Sequence, residues 1–288
     1  WGEALAPVLP DVAGRIISEL FTPVLLGRDP LDRGVIWNML YGLMRDRGYY
    51  SGFMVDAISA VDCALWDIAG KHFGVPVYKL LGGAYRTEIP AYISGLPVAG
   101  LDEKVALALS WKEKGFKAIK LQIGYGMDED IRIMRALREA LGADFKLMID
   151  AHWNYTVAQA VKLAHRLEEL DVEFLECPLN PENLAGYSEL AATVSIPVTL
   201  GEADRTHWRY KDILDRNSCD IVQPDVWRCG ISELMRISEL AELYGKPVAP
   251  HLSVGQAGCI AATLHCDAAI YNFYGMQEYQ PSILPVAN

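Results

Sequence analysis

From Ile89 to the end of the chain, short apolar runs alternate with amphipathic stretches of helical length. The runs are IPAYIS (89–94), FKAIKLQI (116–123), FKLMID (145–150), VEFLE (172–176), PVTLGE (197–202), CDIVQPD (219–225), PVAPH (247–251) and FYGMQEY (273–279). Between them, segments such as DEDIRIMRALREAL and TVAQAVKLAHRLEEL repeat apolar residues every three or four positions, with charges opposite. A near-continuous apolar run suits a strand buried on both faces, and an amphipathic partner suits a helix laid over it. Eight such units with right-handed connections predict an α/β fold, a parallel sheet closed into a (β/α)₈ TIM barrel. A doubly wound open sheet is the rival, but no G-x-G-x-x-G follows the first strand.

Before Ile89 the pattern is helical. AISAVDCALWDIAGKHFG sets Ala57, Ile58, Val61, Ala64, Leu65 and Ile68 at helical spacing, with Gly74 and Pro76 as stop signals. PVYKLLGG adds a short turn, and GRDPLDRGVIWNMLYGLM reads as a loop entering another helix. The expected division is a helical part at 1–88 and a barrel at 89–288.

Composition narrows the function classes. A net charge of −11 disfavours nucleic acid and anionic membranes as partners, so an anionic substrate requires local positive charge. The six cysteines (63, 177, 219, 229, 259 and 266) form no C-x-x-C pair and lie in or beside apolar segments, which predicts reduced thiols. With neither a signal peptide nor a bilayer-length apolar run, the expected location is cytoplasmic.

The ends of the apolar runs carry the chemistry. Asp150, Glu176 and Glu202 close the third, fourth and fifth runs, 26 residues apart at each step, one βα unit. Consecutive strand ends are neighbours around a barrel rim, so the three carboxylates converge; oxygen ligands of this kind suit a hard divalent cation, most simply Mg²⁺. Helix capping explains a lone Asp, but Glu is a poor N-cap. Lys120 lies near the end of the second run, Asp225 ends the sixth, His251 the seventh, and Glu278 falls in the eighth. A carboxylate beside an imidazole fixes its tautomer and raises its basicity, so Asp225 and His251 are candidates for an oriented general base. His152, two residues past Asp150, is aimed at the same rim if strand alternation continues. His72, His165, His207 and His265 read as structural or surface residues.

Taken together, WGEA (1–4), DPLD (29–32), AISAVDCALWDIAGK, PVYKLLGG, AIKLQIG, LMIDAHWNYT, FLECPLNPENLAGY, TLGEA, IVQPDVWRCG, VAPH and QEY resemble the mandelate racemase-like subgroup of the enolase superfamily. The resemblance covers nearly the whole chain. It implies a modified (β/α)₇β barrel with an α+β capping domain, here partial, with WGEA as the end of the cap's third strand and both chain ends incomplete. It also implies Mg²⁺ on Asp150, Glu176 and Glu202, His251 as base with Asp225 behind it, and Glu278 bonded to the developing carboxylate oxygen. The reaction is then removal of a proton α to a carboxylate through an enediolate, in a homo-oligomer.

Departures from the pattern point to the reaction. Where racemases of the subgroup carry Lys-x-Lys, this chain has Lys120-Leu121-Gln122, and an amide cannot serve as the opposite base. Lys120 and Gln122 are then expected to contact substrate. Asp150-x-His152 is similar to acid-sugar dehydratases, in which a second histidine protonates the departing hydroxyl; the alternative for His152 is hydroxyl binding without proton transfer. Cys177 stands where a second Glu is usual, and Gly230 where Gly-Gly is frequent. The expectation is a Mg²⁺-dependent lyase that dehydrates an aldonate or aldarate. The alternatives are a racemase, epimerase or cycloisomerase, and an inactive truncated barrel with a structural or binding role.

Overall fold

The computed structural model describes residues 1–5, 9–252 and 257–281. The chain opens with helices α1 (Pro10–Arg15) and α2 (Thr22–Leu25), joined by a π-helical turn over Ile16–Phe21. Next come α3 (Arg33–Arg45), α4 (Phe53–Phe73) and α5 (Val77–Leu80). As the stop signals predict, α4 ends where Gly74 turns left-handed (φ 67°, ψ 30°) and returns its N–H to the Gly70 carbonyl. The helices enclose an apolar core of their own, with Phe21, Ile36, Trp37, Leu40, Val55 and Ile58 buried in it.

The strand–helix repeat follows as β1 (Ala91–Ser94), α6 (Leu101–Glu113), β2 (Ala118–Gln122), α7 (Met127–Leu141), β3 (Lys146–Asp150), α8 (Val157–Glu168) and β4 (Val172–Glu176). It continues with α9 (Leu184–Thr193), β5 (Val198–Leu200), α10 (His207–Asp215), β6 (Ile221–Val222), α11 (Val226–Leu243), α12 (Ala257–Ala269) and β7 (Gln277–Tyr279). Local sequence explains the helix boundaries. Thr156 and Gln159 form a reciprocal capping box at the start of α8, and α7 buries Ile131, Met134, Leu137 and Leu141 along one face. All pairings are parallel, in the order β6-β5-β4-β3-β2-β1-β7, and the sheet curls into a half-barrel.

Seven strands form among the described residues, where the apolar runs predicted eight. PVAPH makes only single bridges, Val222–Val248, Asp225–His251 and Val248–Phe273, because Pro247 and Pro250 have no N–H to give a ladder. Pro224 likewise cuts the sixth strand to two residues. Residues 1–5, which include WGEA, form no strand and pair with none among the described residues; Gly2 packs against Ala60 and Ala64 of α4, and Leu5 N–H donates to the Trp227 carbonyl at the start of α11. The six cysteines are free and buried, as expected. No helix among the described residues is long and apolar enough to cross a membrane.

Side-chain alternation sets up the site. Tyr92, Ala118, Met148, Phe174, Ile221 and Ala249 form one apolar cluster lining the concave side. Two residues further along their strands come Ser94, Lys120, Asp150 and Glu176, all buried. The N-terminal helices are fastened to this sheet through polar contacts. Arg205 makes a two-pronged pair with Asp56 (2.8 and 3.0 Å), and Asp62 accepts from Ser232 N–H (2.8 Å) and its hydroxyl (2.5 Å). The single Gly230 is needed here: at φ 80°, ψ 169° inside α11, a Cβ would stand 2.8 Å from Asp62 Oδ2.

Candidate active site

The strand ends bring the sequence-predicted residues onto one rim. Asp150 lies in register with Gln122 on one side and Glu176 on the other. Lys120 is buried in the middle of the acids, with Nζ 2.7 Å from Glu176 Oε1 and 3.0 Å from Glu278 Oε1. His251 Nδ1 is 2.8 Å from Asp225 Oδ2, and His251 Nε2 is 2.8 Å from Glu202 Oε2 and 3.7 Å from Glu278 Oε2. Asp225 is anchored in turn, its Oδ1 accepting Trp227 N–H at 2.7 Å as the cap of α11. Glu278 Oε2 accepts Leu252 N–H at 3.0 Å.

Two residues reach the rim by turns rather than by strand alternation. β5 stops at Leu200, and Glu202 follows Gly201, whose φ of +134° and tight contact with Gln223 N and Tyr210 (3.0 Å from an added Cβ) leave room only for glycine. β3 stops at Asp150, and His152 enters a left-handed turn (φ 45°), with its N–H donated to Asp150 Oδ1 at 2.9 Å. His152 therefore reaches the rim through this turn and not, as expected, by strand alternation. Its ring is half exposed (side chain 55%) and Nδ1 lies 3.6 Å from Asp150 Oδ2.

One participant escaped the sequence reading. Gln223 Nε2 donates to Glu176 Oε2 at 2.7 Å, so Glu176 is held by Lys120 on one oxygen and Gln223 on the other. The available signal was IVQPD itself, in which Gln223 precedes Asp225 by two positions. His207, expected to be structural, faces Glu233 at 2.8 Å, and His165 faces Glu168 at 3.1 Å.

Five carboxylates (Asp150, Glu176, Glu202, Asp225, Glu278) face Lys120, His251 and the partly exposed His152. Burial pushes Glu176 up to about 8; Lys120 opposes that shift, while Asp150, Glu202 and Glu278 add to it. Burial also disfavours charge on Glu202 and Glu278, but cations prevail and hold each at about 2. His251 is the main counter-charge for Glu202, and Lys120 followed by His251 for Glu278. Desolvation alone would lower the His251 pKa, yet Glu202, Glu278 and Asp225 carry it well above the ordinary imidazole value. Hydrogen bonding to Asp150 raises His152.

Oxygen donors in a buried site with surplus negative charge fit a hard divalent cation. Ligand atoms of Glu176, Glu202 and His251 lie within 4.8 Å of one another. Asp150 stands beside this trio, its carboxylate turned toward the His152 backbone and ring.

Buried acids and an oriented imidazole at the strand ends of a parallel α/β sheet make up an acid–base enzyme centre with a candidate metal site. The chain belongs to the enolase superfamily. Residues 103–284 match the enolase C-terminal domain-like family, and residues 2–82 match the mandelate racemase/muconate lactonizing enzyme N-terminal domain. It is 38% identical over 275 residues to the D-galactarolactone cycloisomerase of Agrobacterium fabrum, covering 94% of this chain and 71% of that protein. It is 37% identical over 278 residues to the arabinonate dehydratase of Saccharolobus solfataricus, covering 94% and 73%. A crystal structure of an enolase superfamily member from Agrobacterium tumefaciens superposes with a TM-score of 0.95 at 36% identity, covering 99% of this chain and 73% of that one.

Proposed function

We propose that the protein is a Mg²⁺-dependent acid-sugar dehydratase, converting an aldonate or aldarate to its 2-keto-3-deoxy acid. The observation that carries the reading is the Asp225–His251 pair facing the carboxylate ring, with Gln122 rather than a second lysine on the opposite strand end. A closed barrel goes with this reading, supported by the isolated bridges from Val248 to Val222 and to Phe273, which carry the pairing on past β6. In this reading residues 1–88 belong to a cap, residues 89–288 form the catalytic unit, and the protein is a homo-oligomer.

Mg²⁺ held by Asp150, Glu176 and Glu202 would supply positive charge against the substrate carboxylate and draw the charge of Glu202 away from His251. His251 Nε2 takes the proton α to the carboxylate, while Asp225 keeps the other ring nitrogen protonated and the imidazole oriented. Lys120 stabilises the negative charge that develops on the carboxylate oxygens; Glu278, ionised while Lys120 and His251 face it, takes a proton from solvent as the anionic substrate claims those cations, and donates a hydrogen bond to one of the oxygens. His152, at the open side of the site, gives a proton to the β-hydroxyl as its C–O bond breaks, releasing water. Gln122 contacts substrate without titrating. Loss of a hydroxyl with formation of a keto acid needs no oxidant, so the balance closes with one water released.

A cycloisomerase is the second reading, favoured by the similarity to D-galactarolactone cycloisomerase. A proton NMR time course in D₂O with Mg²⁺ and pooled aldonates and aldarates separates them. Deoxy-carbon signals of a 2-keto-3-deoxy acid establish the dehydratase. Isomerised product, or α-deuteration without loss of a hydroxyl, establishes the isomerase class. No turnover together with weak Mg²⁺ binding would favour an inactive barrel.

A further inference from the structure

A cavity of about 390 Å³ opens on the same rim, between the ends of β1, β2 and β7. Ser94, Gln122, Tyr125, Gln280 and Lys104 contribute to its wall. It adjoins the acid ring: Gln122 is in register with Asp150, and Gln280 Nε2 donates to Glu278 Oε1 at 3.3 Å. Yet among the described residues no Asp or Glu lines it, in a chain of net charge −11. Lys104, in the first turns of α6, is buried. Its Nζ donates to two backbone carbonyls, those of Leu96 (3.3 Å) and Val98. Among the described residues, no carboxylate stands within ion-pair distance of it. An ammonium has three N–H donors, so two carbonyl acceptors leave one donor without a protein partner and the charge without a counter-ion. Keeping such a charge out of water without a counter-ion is costly, and an anionic ligand removes that cost.

Building on the acid-sugar reading, we propose that this cavity receives the distal carboxylate of a sugar diacid. Lys104 is its counter-charge, and the Gln122 amide is a neutral donor beside it; the Gln280 amide, which donates to the Leu252 carbonyl and to Glu278, forms wall only. The protein is then specific for aldarates over aldonates, whose far end is an uncharged hydroxymethyl group. Lys104 takes no part in proton transfer.

The test uses His251→Asn protein, which lacks the base, with Mg²⁺ and stereochemically matched pools of six-carbon aldarates and aldonates, read by ligand-observed NMR titration. The tightest aldarate should bind on the order of tenfold or more better than its matched aldonate, the scale of one charge-assisted contact. Lys104→Gln should weaken aldarate binding on the order of tenfold more than aldonate binding, and Lys104→Arg should preserve the difference between them. Equal binding of the two pools, or equal weakening of both by Lys104→Gln, overturns the diacid subsite and leaves the acid-sugar reading intact. Binding of neither pool overturns both.

Discussion

Asp225→Asn tests the catalytic geometry most directly. Asp225 makes two contacts with separate oxygens: Oδ1 accepts Trp227 N–H at 2.7 Å, and Oδ2 faces His251 Nδ1 at 2.8 Å. In the amide variant the carbonyl oxygen keeps the helix cap, and the NH₂ group turns to the imidazole. Now a donor, it demands an unprotonated Nδ1, so the neutral ring carries its proton on Nε2, the nitrogen that has to accept one. The wrong tautomer should slow α-proton removal by about 10³–10⁴-fold, or roughly 4–5.5 kcal/mol in the barrier. Stability should fall by less than about 3 kcal/mol, the worth of one hydrogen bond to a charged group, because the cap survives. Deuterium incorporation at the α-carbon in D₂O reads the first effect, and urea unfolding reads the second. Exchange within tenfold of the unsubstituted protein would refute the assignment of His251 as a base oriented by Asp225.

Lys120→Met should destabilise the metal-free protein by about 3–5 kcal/mol in urea unfolding, since it leaves Glu176 and Glu278 buried without their shared cation; an unchanged midpoint would contradict that account. The pKa of Glu176 near 8 lies above that of an unfolded carboxylate, so its contribution to metal-free stability is present at low pH and is lost as pH rises from about 4.5 through about 8. Mg²⁺ must displace that proton, so its affinity should strengthen as pH climbs toward 8 and then level off, by up to about tenfold per pH unit; a flat calorimetric titration series between pH 6 and 9 would count against it. His152→Gln should retain α-deuteration but lose dehydration by about 10²–10⁴-fold, and equal loss of both in the same NMR assay would remove His152 from the leaving-group role.

Much of this arrangement was legible in the sequence because a βα unit repeats. A spacing of 26 residues separates Asp150 from Glu176, Glu176 from Glu202 and Asp225 from His251. Equal steps along a repeating unit become neighbours around a sheet, so a shared rim for these residues followed from position alone. The strand ends were less legible. Prolines at 224, 247 and 250 shorten the last strands by withholding N–H donors, and the left-handed turn at His152 ends the alternation that the apolar run suggested.

The sequence by itself determined the alternation of strands and helices, the helix stops, and which acids and imidazoles arrive at one end of a parallel sheet. These follow from periodicity and backbone chemistry, which act over a few residues. Only the tertiary structure decided which charges pair. Lys120 answers to Glu176, 56 positions away, and to Glu278, while His251 bridges Asp225 and Glu202. Gln223 holds the second oxygen of Glu176, and Lys104 is enclosed with no carboxylate within ion-pair distance among the described residues. Such pairings depend on distances of a few ångströms in a poorly screened interior, where a carboxylate moves between about 2 and about 8 according to the neighbours the fold provides.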